Sequence, residues 1–117
     1  MKMEIPVYGG YLHFFTDLKR FNVAHKKAHK GGEGVEEVLG VTSEYRCKDG
    51  KHNIMIGVFD NSYQTLVHEC IHAGLSVFDR VNIDPTAESG EPFAYFVDCL
   101  FGKLVKGLKN EPNTPDA

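Results

Sequence analysis

The sequence predicts an α+β fold, a small antiparallel or mixed sheet packed on two helices in the second half of the chain. Three observations lead there. Two segments rich in β-formers flank an Asp49-Gly50 turn, a long stretch after residue 62 repeats apolar residues every three or four positions, and a second such stretch follows Pro92. With 117 residues, 42% of them apolar and 25% charged, the chain has room for one core. The expected organisation is a single domain over residues 1–109 and a flexible tail over 110–117, where two prolines disfavour regular structure.

Along the chain, Tyr11-Leu-His-Phe-Phe15 follows Gly9-Gly10 and reads as a strand. Phe21, Ala24 and Ala28 then recur at helical spacing, with His25, Lys26, Lys27, His29 and Lys30 forming what reads as a basic, solvated outer face. Gly31-Gly-Glu-Gly34 should break that helix. The hairpin is expected over about 41–59, from Val41–Cys47 and His52–Phe59, because Asp-Gly supplies the positive φ angles of a tight turn. Ile54, Ile56 and Val58 alternate with Met55, Gly57 and Phe59, so both faces of the second arm are apolar and both should be covered, or one covered and one used for binding.

The first of the two helices is expected over about 62–81. Leu66, Cys70, Ala73 and Val77 define its buried stripe, and Asn61 with Gln64 resembles a capping box at its start. Cys70 falls on that stripe as a small core residue. Residues 82–90 form a loop, and Pro92 suits the first turn of a helix running over about 91–108. Phe93, Phe96, Val97, Leu100, Phe101, Leu104, Val105 and Leu108 give it a wide apolar face.

Several function classes drop out early. Thirteen basic against sixteen acidic residues leave a net charge of −3, with no global field for nucleic acid or anionic lipid. No apolar run reaches the roughly 18 residues needed to span a bilayer. The N-terminus lacks the apolar stretch of a secretory signal, so the cytosol is the expected compartment. Three scattered cysteines, Cys47, Cys70 and Cys99, suit free thiols rather than a disulfide framework. A nucleobase deaminase would need a Pro-Cys-x-x-Cys segment, which the sequence lacks.

The chemistry concentrates in His68-Glu-Cys-Ile-His72, an HExxH pattern. Residues four apart share one helical face, so His68 and His72 can reach one tetrahedral Zn2+ ion. Glu69 can then take a proton from water activated at the open coordination position. A third ligand must come from elsewhere. Asp79 lies seven residues on along the same rigid helix, about 10 Å away. Glu91 is the better candidate, since it opens the next helix after a loop long enough to reverse direction; Glu88 competes with it.

His68-Glu69-Cys70-Ile71-His72, followed by Glu91-Pro-Phe-Ala94-Tyr95, resembles the glutamate-ligand branch of the zincin metallopeptidases, over roughly residues 41–108. The small size is similar to minimal stand-alone zincin-like proteins of bacteria and phages. The resemblance implies that His68, His72 and Glu91 bind Zn2+, that Glu69 is the general base, and that the strand from His52 to Phe59 aligns the substrate. It implies hydrolysis of a peptide or isopeptide amide in a peptide or protein substrate; the charge and the lack of a long apolar run leave neither nucleic acid nor membrane as an expected partner. The family often carries an acid four residues after the third ligand; Tyr95 stands there, and Asp98 comes three later. Tyr95, Tyr63, His52 and Arg80 are the candidate donors to the developing oxyanion. The rival expectation is a non-enzymatic zincin-like binding or regulatory protein whose metal site is structural or a relic, with a fourth ligand such as Asp79 or His13 closing it.

Overall fold

The structure, a computed structural model, describes residues 1–30, 34 and 38–108. The Asp49-Gly50 turn joins two antiparallel strands, β3 (Gly40–Arg46) and β4 (His52–Val58), in continuous register from Gly40 opposite Val58 to Arg46 opposite His52. Gly50 adopts φ +82°, the left-handed conformation the turn needs. The expected hairpin is therefore present, and two further strands extend it. β2 (Tyr11–Phe15) runs parallel to β4, and β1 (Lys2–Glu4) pairs antiparallel with β2, giving a mixed sheet of order β1-β2-β4-β3.

Three helices cover this sheet on both faces. α1 (Leu18–Ala28) starts where Asp17 accepts hydrogen bonds from the backbone of Lys19 and Arg20. Its fully buried Phe21 meets Phe15 and Phe59 edge-on across one face of the sheet. On the opposite face, Leu12, Phe14, Ile54, Ile56 and Val58 form the main core with Leu66, Cys70, Ala73 and Val77 of α2 (Tyr63–Arg80) and with Phe96, Leu100 and Leu104 of α3 (Glu91–Leu104). Every residue of β4 is buried, which is why Ile54–Val58 carries no polar side chain on either face. Among the described residues no helix is long and apolar enough to cross a membrane.

Several expectations change in detail. The cap of α2 is Ser62, whose hydroxyl accepts from the amides of Gln64 and Thr65, while Asn61 turns through φ +52° just before it. α3 ends at Leu104 rather than near 108, and a 3-10 turn over Val105–Gly107 follows. There Gly107 comes so close to the Phe14 ring that a Cβ would stand 2.9 Å from it. The expected glycine break at 31–34 lies outside the described residues except for Gly34, and the expected tail over 110–117 lies wholly outside them.

Candidate active site

α2 carries two further stripes besides its core face. Val67, Ile71, Gly74 and Phe78 form the flank that receives α3; a Cβ on Gly74 would stand 2.8 Å from Phe93 and 3.1 Å from Val97, so glycine permits this close approach. His68, His72 and Ser76 form the other flank, which faces β3. Because β3 ends the sheet, its outer backbone groups have no strand partner among the described residues. Between this edge and α2 lies a cleft of about 370 Å³, lined by Gly40, Thr42, Ser43, Glu44, His68, Glu69, His72 and Ser76.

The two imidazoles are exposed, with ring centroids 4.9 Å apart, while the carboxylate between them in sequence is buried, with Glu69 only 6% accessible. A buried carboxylate needs a donor. Thr42 provides one, its hydroxyl lying 2.8 Å from Glu69 Oε1 and 3.1 Å from the Glu69 carbonyl oxygen. Gly40 makes room for this approach, since a Cβ there would stand 3.0 Å from Glu69 Oε2.

Farther along the cleft, Glu44 is held by Ser76, whose hydroxyl donates to Oε2, and by the buried His52, whose Nε2 lies 2.7 Å from the same oxygen. The Ser76 hydrogen bond, followed by that of His52, holds the Glu44 carboxyl below the usual glutamate range against the opposing effect of burial. His52 Nδ1 is buried and has no hydrogen-bond partner among the described residues.

Of the residues singled out in the sequence, His68, Glu69 and His72 share this cleft. Glu91 opens α3 as an exposed residue and does not line the cleft, and neither does Glu88, which sits in a tight turn at φ +54°. Among the described residues no three His, Cys, Asp or Glu side chains converge as a set that could hold a metal ion. Asp98 lies instead along an apolar groove of about 590 Å³ between α2 and α3, with Tyr63, Val67, Ile71, Val97 and Phe101. Asp79 borders a different hollow with Leu75, Asn82 and Asp84.

The oxyanion candidates separate as well. Arg80 donates to the carbonyls of Tyr8 and Gly9, both at 2.9 Å, and so clamps the turn before β2. Tyr63 packs toward Phe101, and Tyr95 is 69% accessible on α3. His13 bonds Asn53 at 2.9 Å, away from the cleft.

The structure does not suit β4 to the substrate-aligning role that the resemblance implies. β4 is paired on both sides and buried throughout, so the stretch from His52 to Phe59 has no backbone to offer a substrate. The edge beside His68 and His72 is β3. Thr42, Glu44 and Ser76 escaped the sequence reading; their one signal was a run of polar side chains, Thr42-Ser-Glu44, alternating on a strand next to the motif helix.

No protein-family description, curated protein or solved structure matches this chain.

Proposed function

We propose that this protein is a zinc-dependent metallopeptidase that hydrolyses a peptide or isopeptide amide in the cleft between β3 and α2. The observation that carries the reading is an exposed imidazole pair, His68 and His72, set beside the buried Glu69 carboxylate next to the edge strand of the described sheet. The donor chemistry fits Zn2+, which favours imidazole nitrogen and carboxylate oxygen. His68 and His72 would hold it; Glu91, the proposed third ligand, and Glu88, its competitor, stand outside the cleft and would have to move toward the imidazoles to complete the set. When bound, the ion supplies a Lewis acid that polarises the scissile carbonyl and makes water more acidic.

The chain's own groups do the rest. An extended peptide adds to the outer edge of β3 through backbone hydrogen bonds, which brings its carbonyl toward the His68–His72 face. Glu69 accepts a proton from the attacking water and passes it to the leaving amine. Thr42 keeps the Glu69 carboxylate turned into the cleft while it does so.

A second reading has its own support. Two imidazoles without a converging third donor among the described residues also suit a regulatory protein that uses the β3 edge to bind a partner.

Metal content by mass spectrometry separates the two, with wild type measured beside Glu91→Ala and Glu88→Ala. The peptidase reading expects about one zinc per chain, lost with Glu91 and kept with Glu88. It further expects Glu69→Gln to keep the metal and lose about 10²–10⁴-fold in turnover. Failure of the wild type to take up zinc favours the regulatory reading.

A further inference from the structure

Away from the cleft, α2 and α3 leave a groove of about 590 Å³ between them. The two helices run antiparallel, with Tyr63 near Phe101 at one end and Phe78 against Phe93 at the other. The groove is lined by apolar side chains, yet Val67 and Ile71 of α2 keep 38% and 42% of their surface in water, and Ala94 of α3 is exposed beside them. Such a stripe forgoes hydrophobic free energy that an apolar partner surface would recover. Asp98 is the single charge among the lining residues. It is exposed and makes no ion pair among the described residues.

We propose that this groove binds an amphipathic helix of a partner protein, one with apolar residues every three or four positions and a lysine or arginine set to meet Asp98. Both walls are helices, whose backbone donors and acceptors are bonded within each helix, so an extended segment finds no backbone partner here. A helical ligand satisfies its own backbone and needs only apolar contact along one face. From Tyr63 to Ile71 the α2 wall runs about 12 Å, enough for two turns of such a ligand. The carboxylate then selects the charge beside the apolar stripe, because an opposite charge at the rim of an interface favours encounter and a like charge opposes it. A second copy of this chain fits less well. Pairing like faces about a two-fold axis sets two Asp98 carboxylates in an apolar interface, and the lining holds no cation to offset them.

The test is fluorescence anisotropy of the full chain with two labelled, hydrocarbon-stapled helices of about four turns. Both carry leucine every three or four residues; one has lysine beside the leucine stripe and the other glutamate in its place. The lysine helix should bind about five- to tenfold more tightly at low salt, and the difference should shrink at high salt. Asp98→Lys should reverse the order. Ala94→Arg, which fills the groove, should weaken both complexes about tenfold or more. Both positions are exposed on α3, and circular dichroism checks that the variants keep the fold. The proposal is overturned if neither helix binds, or if wild type and Asp98→Lys show the same preference. It is also overturned if sedimentation velocity finds the free protein to be a dimer that Ala94→Arg splits, which would put a second copy in the groove. Neither residue lines the cleft, and the assay needs no metal, so its outcome is separate from that of the peptidase reading.

Discussion

The hydroxyl of Thr42 lies 2.8 Å from the Glu69 carboxylate and 3.1 Å from the same residue's carbonyl oxygen, so one side chain on the edge strand governs the buried acid of the motif helix. Hydrogen bonds to charged groups contribute about 1.5–3 kcal/mol, and a buried carboxylate deprived of its donor bears its desolvation cost alone. Thr42→Val preserves shape and removes the donor. Urea denaturation should show a loss of about 1–3 kcal/mol. On the peptidase reading, kcat of zinc-loaded protein should fall about tenfold with KM nearly unchanged, since each 1.4 kcal/mol is a factor of ten. Thr42→Ser should recover most of both. Equal loss in the serine variant would show that Thr42 matters for packing and not for its hydroxyl.

Glu44 makes part of the stability depend on pH. Its carboxyl titrates below the ordinary value of 4.5, chiefly because Ser76 and then His52 hydrogen-bond to the charged form. A group whose pKa is lowered by folding adds stability above its unfolded pKa, and that contribution disappears as the pH falls through the folded pKa. Glu44→Gln should therefore be less stable than wild type at pH 7, and the two should converge below pH 4.5 as wild-type Glu44 protonates. The gap is modest, about 0.2–1 kcal/mol, because the Glu44 side chain is 57% accessible. Thermal melts of both proteins from pH 7 to pH 3 measure it. A gap that stays constant over this range contradicts the assignment.

The three thiols should separate by burial. Cys47 and Cys99 are exposed, whereas Cys70 lies in the core against β4. Burial, aided by the neighbouring Glu69 charge, pushes the Cys70 thiol up to about 12, so almost none of it is thiolate near neutral pH. Iodoacetamide at pH 8 should label two cysteines in the native protein and the third only after unfolding, as counted by intact mass. Rapid labelling of Cys70 would place α2 differently from the packing described above.

What could be read in the sequence was whatever local pattern encodes. Leu66, Cys70, Ala73 and Val77 announce α2 because burial on one helical face needs that spacing, and Asp49-Gly50 announces the hairpin because few residues tolerate the turn's φ angles. The parallel pairing of β2 with β4 is a long-range choice, and no local run in Tyr11–Phe15 encodes its register. The same limit hid the site's outer half. Thr42 and Glu44 acquire a role only once β3 lies along α2, which places Thr42 by Glu69 and Glu44 by Ser76. The basic face expected on α1 is exposed at Lys26, Lys27, His29 and Lys30, but the approach of His25 and His29 to Ser43 on β3 is again a long-range contact that no local run encodes.

Gly40 and Gly102 should respond to alanine with opposite signs. Gly102 lies in α3, and a Cβ there meets nothing within 4 Å. Alanine at that position removes the entropy cost of glycine in a helix and should stabilise by about 0.5–1 kcal/mol. At Gly40 the obstacle is steric rather than conformational. A Cβ would stand 2.5 Å from Thr65 Cγ2 and 3.0 Å from both Glu69 Oε2 and the Gly57 carbonyl, one of them backbone that cannot swing away. Relief requires α2 to move off β3, widening the cleft and lengthening the Thr42–Glu69 contact. Gly40→Ala should cost about 1–3 kcal/mol, the usual penalty for overpacking. If the contact between β3 and α2 is what positions Glu69, this variant should also lose hydrolytic activity in proportion to Thr42→Val while keeping its metal. Melting temperatures for the two glycine variants, measured side by side, check the signs; a stabilised Gly40→Ala would mean that β3 and α2 are not in contact at this point.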